Sequence, residues 1–266
     1  MTGLFDRDYT RLTEEEVLEK EKIDAECGNV IGANFERRNF FHKYPKAVRH
    51  NMSLFPNNYM DIMLLKDSET LSKQCDDFEA LLNNKNITEL NIKRFIQSNR
   101  YYHIPASIFS QYTFGHHEAV LFKEFQLGTS YKADYLLAGR ASGGWQFIFV
   151  EFENPYGYVS LQNGAWGDVV RKGINQVDDW KTFVESNYST VHAEFLKHTT
   201  QYLPDEFVRF DSSRMHYVVV AGRRSDFENP TIRLKQRRSE LESNIKILHY
   251  DNLLDDARRL IGAQSY

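Results

Sequence analysis

The spacing of apolar and polar positions divides the chain into two unequal parts. Up to residue 77 the pattern is weak. Residues 11–25 are charged and read as a short surface helix or an arm, and residues 55–66 read as a turn followed by an apolar strand. Beyond that point the pattern is regular. DFEALLN (77–83) reads as helical, and in ELNIKRFIQS (89–98) Leu90, Ile92, Phe95 and Ile96 recur at roughly helical spacing. AVLFKEFQL (119–127) alternates as a strand does, Gly128 and Ser130 mark a turn, and YKADYLLA (131–138) supplies a second strand. Gly139 to Gly144 read as a hairpin-like loop before a third strand from Trp145 to Glu153. A helix over 167–186 follows, with Val170, Ile174, Val177 and Val184 on one stripe and Trp180 nearby. MHYVVVA (215–221) is a fourth strand; a strand near 245–250 and a helix near 251–261 close the chain. Helix, three strands, helix, strand predicts a mixed α/β fold with helices packed on a central sheet.

The third strand carries the chemistry. Trp145, Phe147, Phe149, Glu151 and Glu153 project to one face, and Gln146, Ile148, Val150 and Phe152 to the other. Two carboxylates thus end a strand that is otherwise apolar on most of both faces, and burying them unpaired is costly. In the preceding strand Lys132, Asp134 and Leu136 share a face, so a hairpin pairing brings Asp134 beside Glu151. Hard divalent cations prefer oxygen ligands, and an Asp and a Glu on adjacent strands, with a backbone carbonyl and waters, predict a Mg²⁺ site. Strand-end acids paired with surface lysines are the bland alternative. In the long helix, Gln176 stands at the border of the apolar stripe, one turn after Lys172, where it reaches over the sheet end or simply faces water.

Composition narrows the classes. The 266 residues allow one large domain or a core with a smaller appendage, and 41% hydrophobic with 26% charged residues is ordinary for a soluble globular protein. A formal net charge of −4 argues against a protein that coats DNA through many phosphate contacts, but not against a nuclease with local basic patches. Gly222-Arg223-Arg224 ends the fourth strand, and arginines in a turn at a sheet end either clamp phosphates or face solvent. KQRR (235–238) reads as a solvated helix face. Cys27 and Cys75 lack the close spacing of a zinc motif; a disulfide is allowed by count alone. No signal-like run and no span of about 20 apolar residues is present, which predicts a cytoplasmic protein with no membrane partner. His116 and His117, adjacent before a strand, point to opposite faces and cannot easily share a metal, and Gly139–Gly144 lacks the lysine of a nucleotide-binding loop.

The αβββαβ order, with Asp134 in YKADYLL, Glu151 in FVEFENP and Gln176 in GINQVDDW, resembles the PD-(D/E)xK restriction-endonuclease-like core. With VVVAGRR (218–224), LHYDNLL (248–254) and FEALLNNKNITELNIKRFIQSNRYY (78–102) it is similar to the nuclease domain of the Shedu family of bacterial anti-phage proteins. The resemblance implies an accessory region at 1–77 and a nuclease domain at 78–266. It also implies DNA as substrate and partner, hydrolysis of its phosphodiester bonds with Mg²⁺ or Mn²⁺, and a homo-oligomer. Asp134 and Glu151 would be metal ligands, Glu89 the acid of the first core helix, Gln176 a residue that orients a ligand or a substrate phosphate, and Arg223 and Arg224 the DNA contacts. One departure stands out. The general pattern has lysine two residues after the glutamate, and here that residue is Glu153. Either Glu153 itself binds metal while Lys132 or Lys172 brings the positive charge from another element, or the fold is an inactive nuclease that binds DNA ends or a protein.

Overall fold

The computed structural model describes residues 3–27 and 40–266. The longer helices that precede the sheet among the described residues are α1 (Glu14–Cys27), α2 (Ser68–Leu82) and α3 (Glu89–Asn99). The strands β1 (Glu118–Leu127), β2 (Tyr131–Ala141) and β3 (Gly144–Phe152) follow as antiparallel neighbours. Helices α4 (Asp168–Ser186) and α5 (Tyr188–Phe195) lead to β4 (Met215–Val220), which lies parallel to β3. Helix α6 (Pro230–Ser243) leads to β5 (Ile245–Leu248), parallel to β4, and α7 (Tyr250–Leu260) closes the chain. Parallel neighbours require a crossover, and helices supply both. The product is a five-stranded mixed sheet in the order β1-β2-β3-β4-β5, flanked by helices.

Alternation along the strands builds a core on each face. On one side Leu121, Leu137, Ile148, Val150 and Val218 meet Phe78 of α2, Ile92 and Ile96 of α3, and Leu253 of α7. On the other, Phe122, Leu136, Phe147, Phe149 and Val219 meet Val170, Val177, Trp180 and Val184 of α4 and Phe195 of α5. The boundary expected between residues 77 and 78 falls inside α2, and Met60, Leu65 and Leu71 share the first core with the strands.

One expected element has a different form. Ile62–Lys66 is a 3₁₀ turn, not a strand. Four consecutive apolar residues carry no period that separates strand from helix. Asp61 decides it: its side chain accepts the Met63 N–H at 3.0 Å and pairs with Arg49 at 2.6 Å, in full burial. Cys75 is buried as a free thiol; the Cys27 side chain lies outside the described residues. Among the described residues no helix is long and apolar enough to cross a membrane.

Helix α4 lies close on the sheet because it carries glycine at the contact. A Cβ on Gly173 would stand 2.6 Å from Val219 Cγ1 and 3.1 Å from Glu153 Cγ. Gly173→Val is therefore expected to cost about 1–3 kcal/mol through overpacking, read as a lower midpoint in urea at unchanged slope. A midpoint at or above that of the parent would show that α4 has room to move.

Candidate active site

The acids meet where two strands part. β2 and β3 pair as far as Tyr135↔Val150. One position on, the Phe152 N–H donates to the side chain of Asp134 (Oδ2, 2.9 Å), so a carboxylate fills the fork between the strands. Glu151 follows Val150 into the same fork. Glu153 lies just past the strand end, but its backbone is held: its N–H donates to the Val220 carbonyl at 2.8 Å, and its carbonyl accepts the Tyr250 hydroxyl at 2.7 Å. Asp134, Glu151 and Glu153 are 6%, 4% and 1% exposed, so bulk water does not compensate their charge.

The fork coincides with an irregularity in the hairpin. Between Lys123↔Tyr135 and Phe125↔Ala133 the Glu124–Asp134 pair is missing from the ladder, and Glu124 has φ 50°, a left-handed conformation uncommon outside glycine. The strand faces switch there. Leu136 and Ala138 belong to the α4-side core, and so does Ala133, although strict alternation would put it on the opposite side. This switch explains why Lys132 does not reach the acids, contrary to the expectation that it shares the face of Asp134. Its ammonium is half-exposed and pairs with Glu124 at 2.7 Å.

Two other lysines do reach them. Lys172, at the start of α4, donates to Glu153 Oε2 at 2.9 Å and lies 3.5 Å from Glu89. Lys93, which the strand pattern did not suggest, donates to Asp134 Oδ1 at 2.8 Å and lies 3.9 Å from Glu89. A signal for it existed: Lys93 stands four residues after Glu89 on α3, one helical turn away on the same face. Gln176 is half-buried one turn after Lys172 on α4, and among the described residues no hydrogen bond joins its side chain to the acids.

Four carboxylates thus face two ammoniums. Burial, then the charges of Asp134 and Glu153, push Glu151 up to about 9. Burial pushes Glu153 up to about 7 against the pull of Lys172, with Glu89 adding to the rise, and Asp134 is raised by burial in spite of Lys93. Burial lowers the two lysines, but Asp134 for Lys93 and Glu153 for Lys172 help carry them above the usual ammonium range. Glu151 Oε2 and Glu153 Oε1 are buried with no hydrogen-bond partner. Orphaned buried carboxylate oxygens are an all-oxygen donor set of the kind a hard divalent cation takes. Among the described residues no three acidic, histidine or cysteine side chains converge as ready-made metal ligands. Mg²⁺ is commonly held by one or two carboxylates and keeps several waters, and Asp134 and Glu151, flanked by Glu89 and Glu153, could supply these.

The family model described as Shedu protein SduA, C-terminal, matches residues 36–254, which include all five strands and every acid and lysine of this cluster. The chain belongs to the Shedu SduA C-terminal family. Family membership implies a role in anti-phage defence. A comparison with curated proteins found no match.

In this Shedu chain the two arginines expected on DNA part company. Arg223 is turned inward. Its guanidinium forks onto Asp251 (2.8 and 3.1 Å), donates to the Tyr156 hydroxyl at 2.6 Å and reaches the Leu82 carbonyl, so it ties the end of α2 to the loop after β3 and the start of α7. Four of its five N–H donors are spent on the fold, so the position expected on DNA serves as a structural clamp. Arg224 remains mostly exposed, pairing with Asp255. Neither role was readable from adjacent letters, because the partners lie up to 141 residues away.

Two outcomes are expected. Arg223→Met leaves Asp251 without its guanidinium and should destabilise the chain by about 2–4 kcal/mol; an unchanged denaturation midpoint would count against the clamp. The acids set a pH dependence. Unfolded, Glu151 titrates near 4.5, whereas folded it keeps its proton to about 9. Between those values the metal-free folded chain binds more protons than the unfolded chain, so its stability is highest near the lower end and falls as pH rises. Glu151→Gln should flatten that fall, by an amount on the order of a few kcal/mol at pH 8. Thermal denaturation against pH, in chelator, checks it; an equally steep fall in the variant would mean that Glu151 is not the group that titrates.

Proposed function

We propose that this Shedu chain is a metal-dependent deoxyribonuclease of the PD-(D/E)xK type, hydrolysing DNA phosphodiester bonds in anti-phage defence. The observation that carries the reading is the pair Asp134–Glu151, buried together in the fork of β2 and β3 with one Glu151 oxygen unpartnered. The αβββαβ order and the family resemblance supply the context. Asp134 and Glu151 would hold Mg²⁺ or Mn²⁺, with Glu89 and Glu153 at the margin. Bound there, the ion would supply an activated water and neutralise charge on the phosphate.

The chain's own residues prepare the rest. The Phe152 amide fixes Asp134, so one oxygen keeps its direction toward the site. Lys172 carries a positive charge onto Glu153, the residue in the pattern's lysine position, and would stabilise charge building on the scissile phosphate. Lys93 pairs with Asp134 in the absence of cation and would yield to one. Gln176, a turn beyond Lys172, would orient substrate. DNA is the proposed partner, and a homo-oligomer the proposed assembly.

Glu153 favours a second reading. A carboxylate in the lysine position fits a fold that keeps its metal and binds DNA ends or a protein without cutting. Cleavage of plasmid and linear DNA with Mg²⁺ or Mn²⁺ separates the two. The wild type should cut, and Asp134→Ala and Glu151→Ala should fall to background while remaining folded. Lys172→Met should lose on the order of 100-fold in turnover while cation affinity, measured by calorimetry, stays within a few-fold. Cation binding without cleavage by the wild type would establish the second reading, and full activity in Asp134→Ala would overturn the first.

A further inference from the structure

A second polar site lies at the C-terminal ends of β4 and β5, at the same end of the sheet as the close of β3. Arg224, Arg233, Gln236, Arg237 and His249 line a pocket of about 160 Å³, with Phe227 as its apolar wall. Every charged group lining it is a guanidinium. Asp255 pairs with Arg224, Asp251 accepts the Arg224 N–H, and among the described residues no carboxylate pairs with Arg233 or Arg237. Arg233 is aimed by its own fold: its Nε–H donates to the Phe227 carbonyl at 3.0 Å, leaving the rest of the fork available. Gln236 is anchored in the same way on the Ile247 carbonyl.

His249 completes the donor set. Its Nδ1 accepts the Asn252 N–H at 3.1 Å as the cap of α7, which places the ring hydrogen on Nε2. Burial holds the ring's pKa down to about 4, so it is a neutral donor at physiological pH and spends no proton on binding. Three guanidiniums and one neutral N–H around a small pocket match the oxygens of a tetrahedral anion, because the guanidinium fork fits phosphate geometry.

The pocket is joined to the acid cluster through a side-chain hydroxyl and short backbone links. His249 precedes Tyr250, whose hydroxyl donates to the Glu153 carbonyl at 2.7 Å. The Tyr250 N–H donates to Gly222, and the Gly222 N–H donates to Asn154, one residue past Glu153. We propose that the Arg224–Arg233–Arg237–His249 pocket binds a phosphate group of the nucleic acid whose neighbouring phosphodiester reaches the Asp134–Glu151 site. The choice of nucleic acid rests on the nuclease reading; the anion site itself rests on the donors alone.

The test has two arms. Inorganic phosphate is titrated while the His249 imidazole nitrogen resonances are followed by NMR. Saturable movement is expected in the wild type and none in the Arg233→Met/Arg237→Met double variant. Arg237→Met alone keeps the Arg233–Phe227 bond and should weaken phosphate binding by about tenfold. In the second arm, duplex binding is measured by anisotropy with Ca²⁺ over a range of salt. The double variant should bind at least tenfold more weakly and lose roughly 0.9 from the salt slope, the share of the one phosphate that the pocket neutralises. A 5′-phosphorylated duplex preferred over its 5′-hydroxyl form, with the preference lost in the variant, assigns the site to a terminal monoester; equal affinities weakened alike assign it to a backbone diester. An unmoved His249 signal at tens of millimolar phosphate overturns the proposal, and phosphate binding with unchanged duplex affinity overturns its assignment to nucleic acid. A responsive pocket in a chain that cuts no DNA would leave this site standing and remove the nuclease reading.

Discussion

Buried negative charge at one end of the sheet is the constraint on which the rest of the molecule turns. Taking an ionised carboxylate out of water costs several kcal/mol even after relaxation, and removing a partner leaves that cost uncovered. Here three acids are almost fully buried in and beside the fork of β2 and β3, with a fourth on α3, and two ammoniums answer them. A fold selected for stability alone would replace such a cluster with apolar side chains. Its presence, at the point where a strand pair opens and the ladder loses a position, is the pattern of strain kept at a site of use.

The surrounding elements read as devices for holding that charge. The α3 helix brings Glu89 and Lys93 on successive turns, α4 brings Lys172, and α7 contributes the Tyr250 hydroxyl that fixes the backbone of Glu153. Arg223 closes the frame from behind by joining α2, the loop after β3 and α7. Charge that could have been displayed to a ligand is used as a tie-rod, and the display falls to arginines further along.

Much of this was legible in the letters, and the parts that were not share a reason. Strands with clean alternation and the long stripe of α4 declare themselves by period, and Asp134 and Glu151 follow from hairpin pairing. Alternation alone misplaces Lys132, because it assumes an unbroken ladder and the faces switch at Glu124 and Asp134. Lys93 escapes the pattern because its importance depends on a contact across 41 residues. Residues 62–66 have no period at all, and the buried Asp61–Arg49 pair settles their shape. Local patterns thus located the acids, and long-range contacts decided which cations answer them.

Gly173 has a wider implication for how such a site is lost. It sits next to Lys172, and the absence of a side chain there lets α4 approach Val219 and the stem of Glu153. The reach of the lysine is therefore gauged by a missing methyl group. A lineage could retain every acid and every lysine and still lose their alignment by gaining one small carbon at this position. Inventories of charged motifs would score the altered sequence as intact; the ruler that spaces them is written in a residue with no chemistry of its own.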